Sequence, residues 1–255
     1  MCLIAAYDAG AEPDVEALRA AAAVNTDGYG FAIWKEPGEF ITFYSRDFEE
    51  LLEFFLTARR VHKGPALVHM RWRTAGADHE MNLQPMRVML QDGEAMVAHN
   101  GTFNHITADH RSDTRIFVEQ QLASRLHPPY TVGRLFPRKR EDDSTPLWSV
   151  GTRTFDKWLV EEGQKLAVIT HDGRLLILGN WERDHAYRGV GYSCSDYIPP
   201  VEIHGRVDVP ARMHMLYRDL GDRQAEGDSD AAVQRAILLG ICPALRSGVS
   251  ELKRL

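Results

Sequence analysis

Three tight-turn signals set between apolar runs constrain this chain more than any other feature. Glu36-Pro37-Gly38-Glu39 separates an apolar run over 29–34 from one over 40–44. Asp92-Gly93 stands between 87–90 and 95–98, and Asp172-Gly173 between 166–170 and 175–178. An Asp-Gly pair supplies the positive φ angles that a two-residue hairpin needs, so each run is expected to fold back on its neighbour. The strands are therefore predicted to be largely antiparallel.

Helical spacing fills the intervals. Residues 13–23 are rich in Ala behind Pro13, a residue suited to a helix start. Residues 48–60 place Leu51, Leu52, Phe55 and Leu56 on one face. Residues 112–126 open on Ser112-Asp113, good capping chemistry, and set Ile116, Phe117, Gln120 and Leu122 along their turns. Residues 152–162 carry Phe155, Trp158 and Leu159 on an apolar side. The charged, proline-bounded stretch 136–146 reads as an exposed loop, and 231–245 as a helix broken near Pro243. Paired strands with helices gathered between them imply an α+β layered domain. It is expected to span 1–200, with 201–255 as a C-terminal extension packed on the same domain.

Length and charge narrow the function classes. A chain of 255 residues, 44% hydrophobic and 26% charged, has an ordinary globular balance and can bury a substantial core without staples. A net charge of −6 argues against non-specific nucleic-acid binding, although Arg134, Arg138, Lys139 and Arg140 cluster locally. Three cysteines without a CxxC spacing suggest neither a disulfide framework nor a cysteine zinc site. No apolar run approaches membrane-spanning length and no signal-peptide pattern opens the chain, so a reducing, cytoplasmic setting is expected.

The chemistry begins at Cys2. Removal of Met1 would leave a thiol and a free α-amine on one residue. An N-terminal amine is one of the bases that activate a nucleophile, and it titrates near ~7.7–8.0. As a plain core residue, Cys2 would simply open an apolar strand. Further motifs stand near the ends of expected strands. In His69–Gly76, Arg71 and Arg73 alternate with Met70 and Trp72, and would share one face if the strand ran through them. A guanidinium fork suits a carboxylate. His99-Asn100-Gly101 offers a side-chain amide and a glycine N–H, the donor types that hold a developing oxyanion. Ser112-Asp113-Thr114 supplies a helix cap and a carboxylate able to hold an ammonium. Asn25-Thr26-Asp27-Gly28-Tyr29-Gly30 reads as a loop feeding a strand. Together these parts describe a site for an amino acid amide. Cys2 attacks the amide carbon, Asn100 and Gly101 hold the oxyanion, Arg71 takes the α-carboxylate and Asp113 the α-ammonium.

On these motifs the sequence resembles the class II glutamine amidotransferases, which are N-terminal-nucleophile hydrolases. The family's opening Met-Cys is matched at Cys2. Its His-x-Arg-x-x-Thr with a following Gly is matched by His69, Arg71, Thr74 and Gly76, and its Asn-x-x-Pro by Asn82 to Pro85. His99-Asn100-Gly101 and Ser112-Asp113-Thr114 follow in the family's order, and Tyr192-Ser193-Cys194-Ser195 is faintly similar to a late serine-rich strand of stand-alone members. The resemblance implies a four-layer α/β/β/α sandwich with two antiparallel sheets. It also implies release of ammonia from glutamine through a thioester, no cofactor, and a separate synthase subunit as ammonia acceptor. Substrate-binding roles fall on Arg71, Thr74, Gly76, His99 and Asp113, with Arg73 as a possible addition for a longer or more acidic substrate. Two departures stand out. Leu3 replaces the glycine usual after the nucleophile, which would reshape the site entrance, and Arg115 replaces an acidic residue.

Three rival readings stay open. A γ-glutamyl peptide hydrolase would use the same machinery with water as acceptor. A metal-dependent hydrolase is suggested by His62, His69, His79, His99, His105 and His110 in one stretch, without an HExxH spacing. A non-catalytic binding module would result if Met1 stayed in place.

Overall fold

The computed structural model describes residues 2–107, 109–126, 150–181 and 189–194, with 202–203, 206–207, 224–225 and 232. Met1, the expected loop over 136–146, the basic cluster from Arg134 to Arg140, the expected helix over 231–245 apart from residue 232, Cys242 and most of 201–255 lie outside the described residues. The chain divides into two units, Met1–Pro13 with Asn25–Ser193, and Asp14–Val24 with Cys194–Leu255.

The larger unit holds two sheets. The first contains β1 (Leu3–Tyr7), β2 (Tyr29–Glu36), β3 (Glu39–Ser45), β4 (Ala66–Met70) and β9 (Val190–Tyr192), in the order β3-β2-β4-β1-β9. The second contains β5 (Met86–Leu90), β6 (Gly93–Asn100), β7 (Lys165–Ile169) and β8 (Leu175–Gly179), in the order β5-β6-β7-β8. Every pairing within them is antiparallel. The hairpins β2–β3, β5–β6 and β7–β8 turn at the three predicted places, with Gly38, Gly93 and Gly173 at positive φ.

Side-chain alternation decides what each sheet face covers. Ile4 and Ala6 of β1, Leu67 of β4, Ala98 of β6, and Ala167 and Ile169 of β7 pack into one buried cluster. The two sheets therefore meet face to face, with β1 against β6 and β4 against β7. The opposite face of the first sheet is covered by α2 (Phe48–Val61), whose Phe55 meets Tyr7 at 5.5 Å and Phe31 at 5.3 Å between ring centroids. The opposite face of the second sheet contributes Val97, Leu166, Val168 and Leu178 to a cluster with Phe117, Leu122, Phe155 and Leu159. These come from α3 (Asp113–Phe117), the wide turn Val118–Leu122 that joins it to α4 (Ala123–Arg125), and α5 (Val150–Glu161). The fold is a four-layer α/β/β/α sandwich.

Two local expectations change. The helix read over 112–126 is interrupted by the wide turn, which lets Phe117, Val118, Leu122 and Leu126 all be buried. Strand β4 stops at Met70, so Arg71 and Arg73 lie beyond the ladder and the alternation argument does not apply to them. Of the smaller unit, α1 (Val15–Ala22) is described, capped by the Asp14 carboxylate accepting the Ala17 N–H at 3.1 Å, together with the short hairpin β10 (Glu202–Ile203) and β11 (Arg206–Val207).

Candidate active site

Cys2 immediately precedes β1, whose Ile4 and Ala6 face the second sheet while Leu3 shares the outward face of Tyr7. Leu3 is buried. Asn100 ends β6 on the face of Ala98, the side that looks at β1. One amide reaches across: Asn100 Nδ2 donates to Ser193 Oγ at 2.9 Å, and Ser193 Oγ also accepts the Ile4 N–H at 2.9 Å. The strand that follows Cys2 and the Asn100 amide are thus joined through one hydroxyl.

The thiol is held by the backbone beyond β4. Cys2 Sγ accepts the Trp72 N–H at 3.3 Å and donates to the Trp72 carbonyl at 3.4 Å. As a residue Cys2 keeps some exposure, but enough protein surrounds the sulfur for burial to push the thiol above its ordinary value. The Trp72 hydrogen bond and the Arg71 charge oppose that shift and do not overcome it. A neutral thiol needs a base before it attacks.

Arg71 is the next residue along this segment and is 3% exposed. Its Nη2 donates to the Ala75 carbonyl at 3.2 Å and reaches the Ala77 carbonyl at 3.5 Å. Its Nη1 is buried with no hydrogen-bond partner among the described residues. Burial pulls this guanidinium down from its usual range, and the Cys2 thiolate would support its charge. A buried cation with an unspent donor is costly unless an anion meets it. Arg73, by contrast, is exposed, and its backbone N–H donates to Asp27 Oδ2 at 2.7 Å. The two arginines do not form a joint fork.

The Asn25–Gly30 loop lies against the same segment: the Arg71 N–H donates to the Gly28 carbonyl at 2.9 Å and the Asp27 N–H to the Arg71 carbonyl at 3.1 Å. On its other side, the 71–82 loop is stitched to the start of α3. Asn82 Nδ2 donates to the Ala77 and His110 carbonyls, and Asn82 Oδ1 accepts the Ser112 N–H at 2.7 Å. Gly76 presses on this joint at φ 78°, where an added Cβ would come within 2.6 Å of the Ser112 nitrogen. Ser112 caps α3 by accepting the Arg115 N–H, and Arg115 itself is tied to the Met81 carbonyl. Asp113 follows, buried, with Oδ2 accepting the Phe103 N–H at 2.6 Å.

His99 and Gly101 bracket Asn100 and belong to a different layer. His99 points to the outer face of its sheet and stacks on Phe103 at 4.2 Å. Its Nδ1 meets Thr114 Oγ1 at 2.8 Å and its Nε2 meets Gln164 Oε1 at 3.0 Å. Gln164 Nε2 donates to the Thr102 and Glu162 carbonyls, so Gln164 Oε1 must accept and His99 carries its proton on Nε2. Burial drives His99 down to about 4, against the Asp113 charge and the Gln164 hydrogen bond. Both ring nitrogens are spent inside the protein. Gly101 sits at φ 150°, where a Cβ would lie 1.9 Å from Gln164 Oε1. Thr74 is exposed and shares a 3.2 Å hydrogen bond with Thr102, linking the arginine loop to the residue after Gly101. His69 is fully buried with neither ring nitrogen bonded among the described residues, and burial drives it to about 3, with the Arg71 charge adding to the shift. The His99 backbone is close enough to favour the charged form slightly but completes no hydrogen bond.

Four residues without a reading of their own in the sequence hold this arrangement: Gln84, whose Oε1 accepts the His99 N–H at 2.7 Å, Gln164, Ser193 and Lys165. Only the motif at Asn82–Pro85 and the faint serine stretch pointed towards two of them. Gln164 precedes β7 with no motif around it. Among the described residues no three His, Cys, Asp or Glu side chains gather to hold a metal, and no helix is long and apolar enough to cross a membrane.

No protein-family model matches the chain, and no curated protein matches it. Among solved structures it is similar to a glutamine phosphoribosylpyrophosphate amidotransferase from B. subtilis complexed with ADP and GMP. That likeness has 13% identity over 67% of this chain and 35% of the other, with a TM-score of 0.40. It is also similar to an allosteric regulatory enzyme of purine biosynthesis, at 14% identity over 94% of this chain and 64% of the other, with a TM-score of 0.44. The chain thus spans about a third and somewhat under two thirds of the lengths of these two proteins.

Proposed function

We propose that this protein is an N-terminal-cysteine amidohydrolase acting on the γ-amide of glutamine or of a γ-glutamyl compound, in the manner of the class II glutamine amidotransferases. The observation that carries the reading is the Arg71 guanidinium, buried beside the Cys2 thiol with one donor nitrogen unspent. An amino acid carboxylate is the ligand it suits.

In this reading Met1 is removed and the Cys2 α-amine takes the thiol proton as sulfur bonds to the amide carbon. Asn100 Nδ2 and the Gly101 N–H hold the negative charge that moves onto the carbonyl oxygen. The intermediate collapses, the C–N bond breaks, and the amine returns the proton to departing ammonia. Water then cleaves the thioester to the free carboxylate. Arg71 holds the α-carboxylate and Asp113 the α-ammonium throughout. His99 positions Asn100 and Gly101 from the outer layer, Thr74 braces the loop, and Gly76 lets that loop meet α3. Ammonia passes to a separate acceptor protein, or water completes a simple hydrolysis.

Intact mass of the purified protein, followed by ammonia and amine release from glutamine and from γ-glutamyl dipeptides, tests the reading. Loss of Met1 is expected, with turnover of one substrate class abolished by Cys2→Ala and kept in Cys194→Ala. Turnover that survives Cys2→Ala, or a retained Met1 on inactive protein, would overturn it, the latter in favour of a binding module.

A further inference from the structure

We propose that Ser193 is a positioning residue for the oxyanion donor Asn100, locking that amide to the strand that carries the nucleophile; the inference rests on the amide-hydrolysis reading above. Ser193 follows β9 and is fully buried. Its backbone N–H donates to the Ile4 carbonyl at 2.9 Å, and its Oγ accepts the Ile4 N–H at the same distance. The residue therefore grips both polar groups of Ile4, two positions after Cys2. The same Oγ accepts from Asn100 Nδ2 at 2.9 Å. Its carbonyl accepts from Lys165 Nζ, and Lys165 is the cross-strand partner of Asn100 in β7. Through its hydroxyl and its carbonyl this one residue links β1, β6 and β7 to the end of β9, where the chemistry is proposed.

A hydroxyl has two acceptor sites, and here both are taken by donors whose directions are fixed. One is a backbone N–H of a sheet. The other is the Asn100 amide, whose plane is then set by the bond it donates. An amide has two N–H groups, so holding one against Ser193 aims the other. Oxyanion donors act when they already point at the developing charge, and a small rotation loses that benefit. Alanine at 193 keeps the grip of its backbone on the Ile4 carbonyl but releases the Asn100 amide and the Ile4 N–H. Ser193 touches neither substrate nor the reacting atoms in this account, so its effect must run through Asn100.

That dependence gives the test. Kinetics are measured for Ser193→Ala alone and in an Asn100→Ala background. The change is expected to lower kcat by about ten- to a hundredfold with KM within about threefold in the first case. It is expected to cost under about threefold in the second, because the group it positions is already gone. Unchanged kcat in Ser193→Ala, or an equal loss in both backgrounds, would overturn the positioning role and leave the amidohydrolase reading standing. Absence of turnover by the mature parent protein would remove that reading and the positioning role with it. Thermal melting accompanies each variant. Should Ser193→Ala not fold, Ser193→Cys, close in size but a poor acceptor, carries the same pair of measurements.

Discussion

The Asp113 carboxylate is buried at the start of α3 and accepts the Phe103 N–H, a bond that an amide oxygen could accept equally well. Asp113→Asn therefore keeps the local structure and removes the charge. A hydrogen bond to a charged group contributes about 1.5–3 kcal/mol. KM for an amino acid substrate is expected to rise roughly ten- to a hundredfold with kcat changed little, and an unchanged KM in steady-state assay would remove the ammonium-binding role. At Cys2 the thiol is raised by burial, so attack needs a base, and in the proposed mechanism that base is the freed α-amine. Its deprotonated form is the active one, and kcat/KM is expected to rise with pH through about 7.7–8.0 and then level. A profile flat from about pH 6 to 9 would contradict that. These residues could be singled out in the sequence because each motif suggests its own chemistry. His99 was not read correctly from its motif alone: its position beside Asn100 suggested ligand binding, but alternation turns its ring to the outer layer, where Thr114 and Gln164 take both nitrogens.

Elements decide how these residues meet. The 71–82 loop reaches α3 through Asn82, which bonds Ala77, His110 and the Ser112 N–H, and through Gly76, which lies against the Ser112 backbone. At φ 78° a side chain is strained, and here the obstacle is backbone that cannot rotate aside. Gly76→Ala is expected to destabilise the protein by about 2 kcal/mol or more and to raise KM, because the loop holding Arg71 and the helix holding Asp113 must part. Urea unfolding with assay of the folded fraction checks both; a stable variant with unchanged KM would show that the joint does not set the site. The hairpins were readable from Pro37-Gly38, Asp92-Gly93 and Asp172-Gly173, since a turn type is a local choice of φ. The end of β4 was not. Arg71-Trp72-Arg73 continues the alternating pattern, and only the Asn25–Gly30 loop, bonding Arg71 and Arg73 through their backbone, takes those residues out of the ladder.

At the scale of the whole molecule, two neutral histidines are buried in the sandwich, His69 on the inter-sheet side and His99 on the outer side of its sheet. Burial holds them at about 3 and about 4, below the unfolded value near ~6.5. Between those values the unfolded chain binds the protons and the folded one does not, so stability rises with pH there and is lost as pH falls below about 6.5. Each histidine contributes up to about 1.4 kcal/mol per pH unit in that window. Denaturant midpoints between about pH 7 and 4 are expected to fall accordingly, and His99→Gln is expected to flatten the dependence; an unchanged slope would show that His99 is charged in the folded state. By itself the sequence determined the antiparallel pairing and the amphipathic faces of α2 and α5, and it supplied the residue types on which the proposed amide-cleaving site rests, because turn angles, periodicity and functional groups are properties of short stretches. Tertiary structure alone decided that Ser193 joins Ile4 to Asn100, that Gln164 fixes the His99 proton, and that Arg71 is buried while Arg73 is exposed. Those outcomes depend on which strands lie opposite one another, and hydrogen bonds between residues up to 189 positions apart leave no pattern in any local window.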